Sequence, residues 1–437
     1  MESEKHVGRT ISCACGKTHR IDPREVLYAD DAVAQCPALC ARHCKGRSVS
    51  VVMDVRTRQA AGLDVMRALT EAGWAVREVL VPDRPDGQSP VTDEATKGEV
   101  EARIGEADLV VSVGSGVISD LGKWVAFERD LPAAVFGTAA SMNGYAAANV
   151  AASVEGVKVV VRARPPAAVA SSPKVLADAP YELTASGLGD VLAKSVSSAD
   201  WRLNHLLFGD YYCERSVSLI AEIEPLYLDH PEDIRQRRRR ALEALFDALL
   251  LTGMAMTMAE TSDPASGGEH LISHTLDMRA SVEGAAHDRH GKQVGVGTIL
   301  ASEIYRRVLA VESPAFTTAP AGIDPAFWGP LRDAVGRELA RKVPRYETAA
   351  AKLSQGRAWD ELREELSAMV RPPERISDCL RRAGAAYRAE DIGIDRRRLL
   401  AALLHAHEMR GRFTILDLAR LVGVMPHAAT DVVDQWA

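Results

Sequence analysis

The stretch Asp108-Leu-Val-Val-Ser-Val-Gly-Ser-Gly-Val-Ile-Ser-Asp-Leu-Gly-Lys123 decides the fold class. Its apolar, β-branched first half reads as a buried strand over 109–113. The strand runs straight into Gly114-Ser115-Gly116, and a helical pattern follows over 118–127. Glycine between strand and helix lets the backbone approach a pyrophosphate, which then meets unpaired amides and the positive end of the helix dipole. The spacing departs from the dinucleotide fingerprint G-x-G-x-x-G, because position 119 is serine. Glycine turns after strands are often only turns, so the neighbouring segments have to add weight.

They do so on both sides. Residues 49–53 read as a buried strand, followed by a helix through Leu63, Met66 and Leu69. A strand over 75–81 and a helix over 91–104 precede the glycine stretch, and a strand over 133–136 follows it. This alternation predicts an α/β, Rossmann-like domain: a parallel sheet with helices on both faces. A second small-residue loop, Gly137-Thr-Ala-Ala-Ser-Met-Asn-Gly-Tyr145, ends the last strand, and two such loops on adjacent strand ends form a crevice suited to a dinucleotide. Asp54 closes the first strand, placed either to accept from ribose hydroxyls or to start a helix beside Thr57. A carboxylate there repels a 2′-phosphate, which favours NAD while leaving NADP possible. The cofactor-facing set is Asp54, Gly114, Ser115, Gly116, Asp120, Thr138 and Ser141.

Beyond about residue 180 helical patterns take over, at 187–207, 237–260, 269–278, 293–308, 332–353 and in short pieces over 375–424. Prolines at 165, 166 and 173 put the changeover between 165 and 185. The expected organisation is an α/β domain over 1–180, with 1–47 as an N-terminal extension, and an all-helical domain over 181–437.

Composition narrows the function. Lys and Arg number 53 against 60 Asp and Glu, a net charge of -7, which gives no reason to expect nucleic acid or an anionic membrane as partner. No signal-peptide pattern opens the chain, and no apolar run reads as long enough to span a membrane. Seven cysteines in 437 residues are too few for a disulfide scaffold and fit a cytoplasmic protein. Five of them, Cys13, Cys15, Cys36, Cys40 and Cys44, crowd the start with His19 and His43 nearby. A structural zinc is one reading, although Cys-x-Cys lacks the usual two-residue spacing. The other is a buried helix face carrying Cys36, Cys40 and Cys44.

Three later segments carry metal-ligand chemistry. Ser186-Gly-Leu-Gly-Asp190 is read as opening a helix with Asp190 in its first turn. Ser266-Gly-Gly-Glu-His-Leu-Ile-Ser-His274 opens another, with His270 and His274 four apart on one face. His290 is placed in a loop before Gly-Lys-Gln-Val-Gly-Val-Gly297. One carboxylate and two imidazoles suit Zn, Fe, Ni or Mn with places open for substrate. Spacing alone leaves bland readings standing: histidines four apart are often core residues, and Asp190 can pair with Lys194 across one helical turn.

Taken together in this order, the five motifs resemble the sn-glycerol-1-phosphate dehydrogenase family, particularly its longer bacterial form. They are Gly-Ser-Gly-x3-Asp-x2-Lys, Thr-Ala-Ala-Ser-Met-Asn-Gly-Tyr, Ser-Gly-Leu-Gly-Asp, Gly-Glu-His-Leu-Ile-Ser-His and His-Gly-Lys-Gln-Val-Gly-Val-Gly. That family sits in the superfamily of glycerol dehydrogenase, iron-containing alcohol dehydrogenases and dehydroquinate synthase. The resemblance implies the superfamily's Rossmann-like plus helical fold, with Asp190, His270 and His290 as ligands of one divalent metal, Zn or Ni. It also implies a homodimer. Two positions depart from many relatives: Asn143 replaces an aspartate and Gly137 a proline in the substrate-facing loop. Asn143 still donates and accepts, so polyol recognition survives.

The implied reaction is reversible NAD(P)H-dependent reduction of dihydroxyacetone phosphate to sn-glycerol 1-phosphate. The metal would polarise the ketone as a Lewis acid. His274 is the candidate for substrate contact or proton relay, and Lys194 for meeting the phosphate, with Asn143 facing the substrate hydroxyls. The rivals are a related three-carbon polyol or phosphonate substrate, and a non-catalytic protein that keeps the fold for binding. Dehydroquinate synthase chemistry fits less well, since that branch carries Glu where this chain has Asp190.

Overall fold

The computed structural model describes residues 1–286 and 288–436. By contact the chain forms two compact units, one of Met1–Gly187 and Arg215–Thr261, the other of Leu188–Glu214 and Ser262–Ala437. A single cut at 180 assigns residues 215–261 to the helical domain, whereas by contact they group with the α/β unit.

The first unit opens with a small hairpin, β1 (Thr10–Ser12) antiparallel to β2 (Thr18–Arg20). The main strands are β3 (Glu25–Tyr28), β4 (Ser48–Asp54), β5 (Ala75–Val81), β6 (Leu109–Gly114) and β7 (Ala133–Gly137). A second antiparallel hairpin, β8 (Asn149–Val154) and β9 (Val157–Arg162), precedes β10 (Ala168–Ser171). Six strands make one parallel sheet in the order β3-β10-β7-β6-β4-β5. The strands alternate two cores. Val49, Val51 and Met53 of β4 pack with Leu39, Val65 and Leu69 on one face. Val52 and Val110 pack with Val100, Ile118, Leu121 and Val125 on the other. Both faces of a central strand are therefore apolar, as a helix-covered parallel sheet requires.

Chain order reverses between β4 and β6, since β5 lies on one side of β4 and β6, β7 and β10 on the other. In doubly wound sheets ligands bind at such a switch point, outside the carboxyl ends of the strands. Asp54, Gly114 and Gly137 stand at those ends, with Gly114 in register with Gly137.

The helix Arg239–Ala259 belongs to this unit. It overturns the reading that no run reaches membrane-spanning length, since its 21 residues pass by length and composition; 89% of its most apolar window is buried. The helix is apolar on every side because protein surrounds it, which is the pattern of a core helix as much as of a membrane span. Cys36 and Cys40 are buried on the helix Ala32–Ala41, while Cys44 lies past its end.

The second unit contains no strand among the described residues. Its longest helices are Lys194–Phe208, Gly268–Glu283, His290–Leu309 and Arg332–Leu353. A parallel sheet and a helical part are thus both present, as the sequence patterns predicted, but only four of the six strands were expected: β10 is added, and β3 falls inside the stretch expected as an N-terminal extension.

Candidate metal centre and cofactor loops

In the helical unit, Asp190 sits in the last turn of the helix Tyr181–Leu192, not in a first turn. A break at Ala193 separates it from the next helix, Lys194–Phe208, so Asp190 and Lys194 are not one turn apart on a common helix. His290 is likewise not in a loop; it is the first residue of His290–Leu309. The pattern over 187–207 is helical throughout, and the break is imposed by the fold rather than announced by a glycine or proline.

Glycines bring these segments together. A Cβ on Gly189 would stand 2.1 Å from the Gly291 carbonyl oxygen and 3.3 Å from the Gly295 Cα. A Cβ on Gly297 would stand 2.6 Å from the Glu269 carbonyl oxygen. Backbone therefore touches backbone where the Asp190, His270 and His290 helices meet, which no larger residue permits. One ligand atom from each of Asp190, His270 and His290 lies within 4.8 Å of the other two. A carboxylate oxygen and two imidazole nitrogens at that spacing fit a single divalent ion.

The surroundings fix which nitrogens face the centre. Glu269 Oε1 accepts from His270 Nδ1 at 2.7 Å, while Nε2 lies 3.5 Å from Asp190 Oδ1. Ser273 donates to Gln293 Oε1 at 2.9 Å, so it offers a lone pair to His290 Nδ1 at 3.4 Å. Nδ1 of each ring thus has a hydrogen-bond partner, the usual support for a ligating imidazole, and Nε2 of His270 faces Asp190. Burial works against charge on His270, but hydrogen bonds and charges from Asp190 and Glu269 outweigh it and hold its pKa at about 9. A metal binding there at neutral pH has to displace that proton.

Asp200 anchors the same helix from behind. It is buried, and it accepts from the Gly268 amide at 2.7 Å, the Ile415 amide at 2.7 Å and the Tyr305 hydroxyl at 2.6 Å. Burial and then the charge of Glu269 push its pKa up to about 8. Neither Glu269 nor Asp200 was singled out from sequence. Glu269 could have been, as the acid beside His270 in its motif; Asp200 lies in an unremarked stretch of helix.

His274 joins the cluster, stacked on His290 with ring centroids 5.4 Å apart and 5.8 Å from His270. Lys194 is buried, its Nζ 3.5 Å from the Pro264 carbonyl oxygen.

In the α/β unit, Ser115 stands at the N-terminus of the helix Gly116–Glu128 without capping it through its side chain. The helix packs hard on β6, since a Cβ on Gly122 would meet Ser112 Oγ at 1.9 Å. Lys123, fully buried, pairs with Asp120 at 2.8 Å and donates to the Gly144 and Asn149 carbonyls at 2.7 and 2.9 Å. The Asp-x2-Lys part of the first motif therefore shapes the second loop. In that loop the Thr138 amide donates to the Gly114 carbonyl at 3.1 Å, and Tyr145 donates to the Ala139 carbonyl at 2.6 Å with Ser141 Oγ 3.4 Å from its hydroxyl. Asn143 is half-buried, and its carbonyl lies where a Cβ on Gly253 would come within 2.6 Å. Asp54 is a helix cap: Oδ1 accepts from the Arg56 and Thr57 amides at 2.9 and 2.7 Å, and Thr57 Oγ1 accepts from the Asp54 amide.

Residues 28–180 match the family model described as iron-containing alcohol dehydrogenase. A glycerol-1-phosphate dehydrogenase of Geobacillus stearothermophilus is 30% identical over 419 residues, 94% of this chain and 96% of the relative. The chain belongs to the glycerol-1-phosphate dehydrogenase family. The relative from Bacillus licheniformis is 28% identical, over 96% of this chain and 95% of its own length, and both names specify NAD(P)+. Among solved structures, glycerol dehydrogenase from Schizosaccharomyces pombe superposes with a TM-score of 0.60 at 14% identity, covering 96% of this chain and 93% of the other. A probable glycerol dehydrogenase from Sinorhizobium meliloti gives 0.58 at 16%, covering 94% and 98%. At those identities the likeness concerns the fold, and it is the fold this family's sequence predicts.

Proposed function

We propose that this chain reversibly reduces dihydroxyacetone phosphate to sn-glycerol 1-phosphate with NAD(P)H and a divalent metal held by Asp190, His270 and His290. The observation that carries the proposal is the convergence of those three donors within 4.8 Å in a chain of this family. When bound, the ion supplies Lewis-acid polarisation of the ketone. The chain's own residues do the rest. Glu269 and Ser273 hold the two imidazoles in the ligating tautomer. His274, stacked on His290, is placed to contact the substrate or relay the proton that the new alcohol requires. Lys194 is the cation for the phosphate, and Asn143 donates and accepts toward hydroxyls. The open amides at Gly116 and the loops at Gly114, Thr138 and Ser141 receive the pyrophosphate, with Asp120 holding the second loop through Lys123.

Asp54 spends Oδ1 on its cap, and its Oδ2 lies 3.8 Å from Arg56 Nη1; we assign Oδ2 to a ribose hydroxyl, which favours NAD over NADP. We assign the metal as Zn or Ni, the assembly as a homodimer and the compartment as cytoplasmic; among the described residues no cysteine is in a disulfide, which accords with a reducing compartment. Asn143 favours one second reading, a related polyol or phosphonate substrate.

A panel of dihydroxyacetone, dihydroxyacetone phosphate and a phosphonate analogue, run with NADH or NADPH and added Zn or Ni, tests the proposal. Dihydroxyacetone phosphate should turn over fastest. Preference for the phosphonate or the free polyol would move the assignment to that substrate, and no turnover of any would favour a binding protein.

A further inference from the structure

We infer that the N-terminal hairpin holds a second metal ion, a zinc bound by Cys13, Cys15 and His19, distinct from the Asp190, His270 and His290 centre. One ligand atom from each of these three side chains lies within 4.8 Å of the others. Cys15 Sγ and His19 Nε2 are 3.1 Å apart. A tetrahedral zinc with thiolate and imidazole ligands spaces neighbouring donors about 3.5–3.8 Å apart, so only small side-chain shifts are needed to seat it.

The local backbone explains how a Cys-x-Cys spacing serves. Strands β1 and β2 pair Ile11 with His19 and Ser12 with Thr18, which puts the turn at residues 13–17. The Cys13 amide donates to the Lys17 carbonyl at 2.9 Å and the Gly16 amide to the Cys13 carbonyl at 3.0 Å. Gly16 takes φ +86°, the left-handed conformation that only glycine adopts without strain, and closes the turn in which the two thiols come together. A tight glycine turn thus does what a two-residue spacer does in an ordinary zinc knuckle. Cys36 and Cys40, the other clustered thiols, pack into the sheet's core and take no part.

His19 carries the second mark of a ligand. Its ring is buried, and Nδ1 donates to the Met258 carbonyl oxygen at 2.9 Å, leaving Nε2 as the nitrogen that faces Cys15. An imidazole fixed by an outward Nδ1 hydrogen bond is the standard support for metal ligation through Nε2. The same bond ties the hairpin to the last turn of the Arg239–Ala259 helix, beside the Lys17–Glu260 ion pair at 3.2 Å. With three residues per strand the hairpin has almost no core of its own, and a metal clip supplies stability that burial does not. Binding requires no redox partner: each thiol gives up its proton and the thiolates form dative bonds. Three protein ligands leave one place for water or a further side chain.

Cobalt substitution of the full-length protein tests this directly, because the Asp190, His270 and His290 set contains no sulfur. The expected result is an intense near-ultraviolet thiolate-to-cobalt charge-transfer band in the wild type and in His270→Ala, lost in the Cys13→Ser/Cys15→Ser double variant. Metal analysis of zinc-loaded protein should show about one equivalent fewer in the double variant than in the wild type. If the double variant does not fold, mercurial titration of the wild type gives the same answer by releasing about one zinc as its thiols are capped. Absence of the charge-transfer band in wild-type protein, or equal zinc in the folded double variant, would overturn the inference.

Discussion

Tyr305 donates its hydroxyl to Asp200 at 2.6 Å, and the same carboxylate receives the Gly268 amide at the start of the helix that bears His270. The relation ties the metal-ligand candidate to a fully buried residue outside the donor set. Tyr305→Phe should destabilise the protein by about 1–3 kcal/mol, since it removes a donor from a buried acceptor. Thermal melting reads the loss. Metal affinity should fall with it, while the Michaelis constant for cofactor stays unchanged.

Gly189→Ala should be far worse than its size suggests. The added methyl has to displace the Gly291 carbonyl, because the clash at 2.1 Å is with backbone. Overpacking of this kind costs about 1–3 kcal/mol, and here it also separates Asp190 from His290. Bound metal and activity should drop together. The matched control is Gly98→Ala, at an exposed position of the helix Glu94–Ile104 with nothing within 4 Å, which should stabilise by about 0.5–1 kcal/mol.

His270→Ala should abolish NADH oxidation with dihydroxyacetone phosphate and remove the metal from the centre. Full activity in that variant would sink the assignment. For the nucleotide, Asp54→Ala should cost about 1 kcal/mol of stability through the lost cap and narrow the preference for NADH. Wild-type turnover of NADPH equal to that of NADH would refute the ribose role of Asp54.

Lys342 and Asp417 form an ion pair at 2.9 Å with both side chains fully buried, and Tyr346 donates to the same carboxylate at 2.7 Å. Lys342→Met leaves a buried charge without its counter-ion and should cost about 3–5 kcal/mol. Adding Asp417→Leu should recover much of that loss. Urea melts of the single and double variants check it.

His407 predicts an acid limb in stability. Burial, then the charges of Arg420, Lys342 and His405, hold its ring well below the ordinary 6.5, despite Glu408 at 3.7 Å and Asp417 at 3.9 Å. Above 6.5 the ring is neutral in both states; as pH falls from there toward the lowered folded value, only the unfolded chain takes up the proton. Stability should therefore fall with pH across that window, by at most about 1.4 kcal/mol per unit. Comparing denaturant midpoints of wild type and His407→Gln near about pH 7.5 and about pH 5.5 isolates the contribution.

Four of the six sheet strands were legible because each is a short apolar run bounded by glycine or a polar turn; β3 and the small-residue β10, each of four residues, were not. β5 falls on the predicted residues, and β4, β6 and β7 are each longer by only one or two. The hairpins were not legible, for different reasons. Three-residue strands such as β1 and β2 are too short to show alternation, and β8 and β9 are mixed in burial. The break at Ala193 was hidden because its neighbours are good helix formers. The three donors were named from the sequence, but what brings them together was not. Gly189, Gly295 and Gly297 lie within helices and act by having no side chain, a role that their spacing in the motifs does not announce.

That contact has a consequence for how the protein is made. Asp190 and His290 lie 100 residues apart in the chain and become neighbours only when those helices close. A growing polypeptide offers no chelate there until nearly all of the donor segments have left the ribosome and packed. Cys13, Cys15 and His19 span seven residues and form their pocket from one turn. Metal loading at the two sites should follow the direction of synthesis: the first site gathers its donors early and is completed when the Met258 carbonyl fixes His19, and the second forms only after His290 has been made and its helix has packed.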